Sequence, residues 1–372
     1  MKLLVVSNAP IINKSNHWFA YSPYVTEMEI WAKYADEIAF CCPEWKQDNG
    51  LLVSEIPFKI SKIFLLSDFN IKSFSNGIQS FFQIFYNFFI LFKAMFWADH
   101  IHLRCPGNVG LLASIVQLFF PHKIKTAKYA GNWDPKAKHP FSYRLQKYIL
   151  SHAFLTRNIQ VLVYGEWENS TRNIKPFFTA TYKEFEKEAI LPRNLQGIIK
   201  IMFVGTLSIG KRPLYAIQLT EKLIQNGFQI ELSIFGEGVE RKNIEDYISK
   251  LKLEHSVTLY GNKTTSIIQK AYQESHFILL PSQSEGWPKV IAEGMFWGCV
   301  PISTPISCVP NMLDYGNRGL LLQVDLEKDA QTIQELISNE AFYQETIANG
   351  VQWSRKYTLD YLEQEIKLLL QS

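Results

Sequence analysis

Short, continuously apolar runs alternate with amphipathic stretches from one end of the chain to the other. The pattern predicts strands near 2–7, 37–42, 99–104, 124–130 and 160–164, with helices near 22–35, 76–97, 108–119 and 141–153. Farther on it predicts strands near 199–204, 229–235, 256–260, 277–280, 299–303 and 319–323. The helices between them fall near 213–226, 239–252, 264–273, 288–298, 309–314 and 327–337. Runs such as 200–204 and 276–280 carry no alternating polar face, which suits strands of a parallel sheet covered by helices on both sides. Repeated strand–helix alternation implies an α/β chain. A charged stretch at 183–189 and a turn-rich stretch at 191–197 interrupt the pattern before a fresh strand opens at Ile199. Two doubly wound domains are therefore expected, 1–185 and 199–355, facing a cleft onto which the carboxyl ends of their strands open. The closing segment, 356–372, is amphipathic and is expected to pack back on the first domain.

Length and composition leave this picture intact. The chain has 372 residues, enough for about two domains of ~150 residues. With 47% hydrophobic and 20% charged residues it is neither disordered nor a charged coiled coil. A formal net charge of +3 gives no reason to expect nucleic acid. The charge is divided: 21 Lys and Arg stand against 15 Asp and Glu in residues 1–190, and 17 against 20 in the rest. Five cysteines with no Cys-x-x-Cys pair point to reduced thiols and a cytoplasmic setting. The first residues turn polar too soon for a signal peptide and read as a strand. The aromatic cluster at 80–97 is nearly long enough to span a bilayer, but Gln83, Asn87 and Lys93 interrupt it. It reads as a core helix, with a helix lying in the membrane interface as the alternative.

Three constellations carry candidate chemistry. The first, Pro281-Ser-Gln-Ser-Glu-Gly-Trp-Pro-Lys-Val-Ile-Ala-Glu, follows a strand and leads into a helix. Pro288 suits the first helical position, leaving the amides of Lys289 and Val290 at the positive helix end as an anion site. Gly286 permits close backbone approach, while Glu285 and Glu293 offer carboxylates to hydroxyls. An ordinary helix start with a solvated Glu–Lys pair has the same spacing. In the second, Gly205, Thr206, Lys211 and Arg212 occupy the turn after the first strand of the second domain. Two cations at a sheet's carboxyl edge suit a diphosphate. The third, Phe235-Gly-Glu-Gly, lacks a third glycine, so as a dinucleotide fingerprint it fails and reads as a tight turn beside a ligand.

These motifs resemble those of the retaining glycosyltransferases of the two-Rossmann-domain type (GT-B), especially family 4. Glu285 and Glu293 match that family's Glu-x7-Glu pair, and Phe203-Val-Gly-Thr-Leu with Lys211 matches its glycine turn and donor lysine. Gly236, the strand at Val300-Pro-Ile-Ser and Asn317-Arg-Gly-Leu-Leu-Leu follow in the family's order. The resemblance implies that Lys211 neutralises a leaving diphosphate, with Arg212 standing in for an arginine the family often carries where Thr206 sits. It implies that Glu285 binds sugar hydroxyls, that the backbone of Gly286, Trp287, Pro288 and Lys289 meets sugar and phosphate, and that Glu293 binds ribose. Gly236, Tyr260 and Gly261 would border the base. In the first domain the likeness is looser: His17 and Arg104 lie in stretches resembling a bacterial subset, and Asn132 and Asp134 stand where many members carry a histidine.

The implied reaction moves a sugar from a nucleotide-diphosphate sugar to a hydroxyl of a glycan or lipid-linked sugar, in cell-surface polysaccharide or glycolipid synthesis. No cofactor or metal is expected, since the cations serve the phosphate and no Asp-x-Asp occurs. A sugar-nucleotide epimerase or phosphorylase of the same fold, and a non-catalytic sugar-nucleotide-binding subunit, are the alternatives. The basic stretch 121–147, with Lys123, Lys125, Lys128, Lys136, Lys138, Arg144 and Lys147 against Asp134 alone, is either a solvated face or a contact with an anionic membrane. In the second case the protein is peripheral on the inner face of the cell membrane.

Overall fold

The computed structural model describes residues 1–67 and 77–371, with side chains from 82 onward in the second stretch. The described chain divides into two compact units, Met1–Phe177 with Glu363–Ser372, and Phe178–Leu362. Residues 76 and 372, which fall within the expected segments, lie outside the described residues.

In the first unit the parallel strands run Ile174–Phe177, Ile159–Tyr164, Ile124–Tyr129, His100–Cys105, Lys2–Val6, Glu37–Trp45 across the sheet. Leu3, Leu4, Val5 and Val6 are fully buried, as expected of a central strand covered on both faces. Lys62–Leu66 adds a parallel partner to Glu37–Trp45. The sequence pattern passed over that strand and three more at this end: Ile11–Lys14, His17–Tyr21 and Val53–Glu55. The first two form a hairpin closed by Ser15 and Asn16, both at positive φ (52° and 66°). That backbone matches the twist of a two-residue hairpin, but the polar run from Asn13 to His17 has no Asn-Gly or Asp-Gly signal.

Helix Gly77–Trp97 is not enclosed on all sides. Asn87, Leu91, Ala94 and Met95 are buried, while Phe89 and Phe96 are 67% and 73% exposed. This corrects the expectation of a core helix: only one stripe packs inward. No helix among the described residues is long and apolar enough to cross a membrane.

In the second unit six parallel strands run Val257–Gly261, Ile230–Phe235, Ile199–Val204, Phe277–Leu280, Val300–Ser303, Leu320–Leu321. The order reverses beside Ile199–Val204, so the loops after it and after Phe277–Leu280 meet at a topological switch point, where open α/β sheets bind ligands. Helix Lys289–Phe296 packs closely on the sheet at Gly294, where an added Cβ would lie 2.6 Å from Ile278 Cγ2. Helix Glu340–Ser354 was not expected from the sequence. Asn339 caps it, its side chain accepting from Phe342 N at 3.1 Å, and Gly350 lets it lie against Met295. The last helix, Leu359–Gln371, begins in the second unit and ends in the first. There Glu363 binds Lys33 and Tyr34, and Glu365 binds Lys175.

Candidate active site

The loops of the second unit's sheet are tied to one another by backbone. Gly205 N–H donates to Phe235 O (3.0 Å), Leu207 N–H to Glu237 O (2.9 Å), and Gly236 N–H to Gly261 O (2.9 Å). The approach is close: a Cβ on Gly236, whose φ is +138°, would lie 1.9 Å from the Gly205 carbonyl oxygen. The Gly-x-Gly turn thus exists for packing of loop on loop. Beside it the exposed Tyr260 ring stacks on Phe235 at 4.8 Å and 10°. That leaves one flat face available at the sheet's carboxyl edge.

A second tie joins the turn after Ile199–Val204 to the loop after Phe277–Leu280. Gln283 N–H donates to Gly210 O (2.8 Å), and an Arg212 N–H reaches Pro281 O (3.4 Å). Arg212 itself sits at φ +53°, a left-handed position that turns the chain into helix Pro213–Gln225. At the tip of these loops the Lys211 ammonium is ion-paired with Glu285. The carboxylate is 11% exposed and the lysine 28%. The loop bearing Glu285 is braced from below. Ser307 Oγ and Cys308 Sγ both donate to Gly286 O (3.1 and 3.2 Å), and Thr304 Oγ1 to Ser282 O (2.5 Å).

Pro288 is the residue before the helix rather than its first residue, with φ −73° and ψ 90°. The expectation was one residue early, and its consequence stands: the amides of Lys289 and Val290 open the helix, where no intrahelical acceptor precedes them. The Trp287 side chain turns away from the loop: its ring stacks on Trp353 (6.0 Å, 25°) and meets Tyr357 edge to face (5.7 Å, 69°). Its side chain therefore anchors the loop on the helix that the sequence did not reveal.

Glu293 is half-buried and held at both oxygens. Thr181 Oγ1 donates to Oε1 (2.6 Å) and Tyr272 OH to Oε2 (3.0 Å). Burial, and then the Glu293 charge, push the Tyr272 phenol well above its usual range, so it stays a donor. Sequence reasoning missed both partners. Thr181 lies in a loop with no motif, and Tyr272 is one apolar-face residue of an amphipathic helix. A fixed carboxylate with lone pairs remaining is suited to accept hydroxyl donors from a ligand.

The first-domain candidates do not assemble with one another. His17 is exposed and meets Glu55 through Nδ1 (2.6 Å). Asn132 and Asp134 are turn formers: Asn132 accepts from Asp134 N–H and Asp134 from Lys136 N–H, both at 2.8 Å. Arg104 is the exception. It donates to Glu27 Oε1 (2.6 Å), which also takes Lys128 Nζ (2.9 Å), and it lies over the Tyr24 ring. Burial opposes charge on Glu27, but Arg104 and Lys128 outweigh it and hold the carboxyl below the usual carboxylate range.

Lys128 also corrects the reading of the basic stretch, because it is buried, as is Lys125. Lys125 Nζ donates to Phe120 O (2.6 Å) and Lys123 O (3.1 Å), and burial pulls its pKa down to about 8. Lys147 is spent on Trp133 O (2.7 Å). Residues 121–147 therefore do not form one continuous basic face.

Among the described residues no group of three or more His, Cys, Asp or Glu is arranged to hold a metal ion.

Residues 187–353 match the model of the family described as glycosyl transferases group 1. An uncharacterized glycosyltransferase of Methanocaldococcus jannaschii is 30% identical over 126 residues, 34% of this chain and 36% of its own. The amylovoran biosynthesis glycosyltransferase AmsK of Erwinia amylovora is 28% identical over 145 residues, 37% of this chain and 35% of its own. These matches span about a third of the curated relatives' length. Among solved structures, HepE of Anabaena in complex with UDP and glucose superposes with a TM-score of 0.71 at 15% identity, covering 100% of both chains. At that identity the likeness speaks for fold alone, two Rossmann-like units of the GT-B class.

Proposed function

We propose that this chain, whose residues 187–353 match the model of the glycosyl transferases group 1 family, transfers a sugar from a nucleotide-diphosphate sugar to a hydroxyl with retention at the anomeric carbon. The observation that carries the reading is the Lys211–Glu285 pair beside the opening of helix Lys289–Phe296. A cation, two first-turn amides and a carboxylate stand together at a switch point of the sheet. The cation and amides suit a phosphate; the carboxylate suits sugar hydroxyls.

In the mechanism, the bond from the anomeric carbon to the diphosphate lengthens, and negative charge grows on the leaving oxygen. Lys211 exchanges Glu285 for that oxygen, joined by the amides of Lys289 and Val290. Donors fixed in advance cost no reorganisation at that moment, which makes them the main catalytic device. Glu285, freed of its lysine, accepts from sugar hydroxyls and balances the cationic ring. Glu293, oriented by Thr181 and Tyr272, accepts from the ribose. The exposed face of Tyr260 stacks on the base. The departing phosphate takes the acceptor's proton, so no separate base and no metal are required. A fold neighbour that binds UDP and glucose, and a relative in amylovoran biosynthesis, support a nucleotide-sugar donor and a role in surface polysaccharide synthesis.

The test is a thermal-shift screen against UDP, GDP, ADP and their sugars, followed by NMR of the product made from the donor that binds. Stabilisation by mass action and an unchanged anomeric configuration are expected. Inversion would remove the retaining mechanism, and conversion of the donor without acceptor would favour an epimerase.

A further inference from the structure

We propose that the first unit docks on the surface of an anionic lipid bilayer through the outer face of helix Gly77–Trp97 and the adjoining amino-terminal edge of its sheet. Tyr86, Phe89, Lys93 and Phe96 recur at three- and four-residue spacing and so share one helix face. That face is exposed, whereas Leu91, Ala94 and Met95 on the other side are fully buried. The apolar surface continues off the helix. Phe92 meets Phe119 at 6.2 Å, and Phe119 is 61% exposed. Covering such rings is favourable, so a contiguous set left open marks a contact surface.

Charge decides what covers it. The helix contains no Asp or Glu; Asp99, just after it, accepts from Lys2 N–H (2.7 Å), and residues 100–165 contain only Asp134, which is engaged in its own turn. Cations border the rings: Lys123 Nζ lies 5.8 Å from the Phe96 ring centre, and Arg157 lies 5.0 Å over Phe154. His122, Phe154, Arg157 and Arg172 line an open recess of about 900 Å³ with no acid in its walls. These residues precede the parallel strands His100–Cys105, Ile124–Tyr129, Ile159–Tyr164 and Ile174–Phe177, so they gather at one edge of the sheet. A bilayer surface offers both complements at once: acyl carbons at the depth of the rings and phosphates at the depth of the cations. Each cation near an anionic leaflet strengthens the attachment. The reading does not rest on the donor site, which belongs to the other unit.

The test is co-sedimentation of the full chain with phosphatidylcholine vesicles with and without phosphatidylglycerol, at low salt. Pelleting with the anionic vesicles is expected. It should weaken at least tenfold in Phe89→Ser/Phe96→Ser and in Arg157→Glu/Arg172→Glu, each checked for folding by circular dichroism. The two variants fail independently if either does not fold. No pelleting of the wild type, or variants that pellet like it, overturns the proposal. So does a wild-type dimer in sedimentation velocity that Phe89→Ser/Phe96→Ser turns into a monomer. Nucleotide-induced thermal shifts, expected unchanged in both variants, report the donor reading separately.

Discussion

Lys211 and Glu285 neutralise each other across the two loops that meet at the switch point of the second unit's sheet. The lysine that would meet the phosphate is already held in place, by a carboxylate that would meet the sugar. Removing the carboxylate's charge frees the ammonium. Glu285→Gln is therefore expected to bind the nucleoside diphosphate as tightly as wild type or more so, yet to lose sugar transfer by about 10²–10³-fold. Calorimetric titration of the diphosphate beside initial rates with the donor checks it. Parallel losses in both would contradict a competing pair.

Glu293 makes a narrower prediction. With Thr181 and Tyr272 fixing its two oxygens, it presents its remaining lone pairs in one geometry. Hydrogen bonds to charged groups are worth roughly 1.5–3 kcal/mol. Glu293→Gln should weaken a ribonucleoside diphosphate by about tenfold or more. A dideoxyribose analogue should bind wild type and variant equally.

Gly236 tests the loop packing without touching charge. A methyl group there meets the Gly205 carbonyl at 1.9 Å, at a φ that L-residues avoid. Gly236→Ala should destabilise the second unit by more than about 1 kcal/mol, read as a lower urea midpoint. Gly197→Ala, at positive φ with nothing within 4 Å, separates the backbone cost from the clash.

The first unit should be acid-sensitive. Burial lowers the His100 pKa to about 4 and holds His102 well below its ordinary value. Between the unfolded value, ~6.5, and about 4, the unfolded chain binds protons that the folded chain refuses. Stability thus falls as pH drops through that window. Glu27, held low, adds a further loss once pH falls below the ordinary carboxylate range. Scanning calorimetry should show a level Tm between about pH 7 and 8 and a decline below about 6.5, shallower in His100→Gln. A flat profile would contradict buried neutral histidines.

Much of this was legible in residue order because the physics is local. The strands Ile199–Val204 and Phe277–Leu280 announce themselves as unbroken apolar runs, and Gly205, Gly236 and Pro288 sit where chain geometry demands special backbone. Lys211 and Glu285 were named from their motifs, but their pairing across 74 residues has no local signature. Thr181 and Tyr272 carry none either, since their role comes from tertiary placement beside Glu293. The basic stretch misled because sequence shows charge but not burial: Lys125 and Lys128 point inward to carbonyls and to Glu27. Helix Gly77–Trp97 misled in the opposite sense, since its apolar residues exceed what one buried stripe uses.

The most direct test of the account is the turnover of Lys211→Ala with the donor that the wild type uses. Lys211→Ala leaves the mostly buried Glu285 without its cation, so a lower Tm is expected, and the rate is read at a temperature where circular dichroism shows the variant folded. Its rate should fall by at least about 10²-fold, the scale of losing one preorganised donor to a developing oxyanion. A folded Lys211→Ala protein that turns over at a near-normal rate would contradict the central claim.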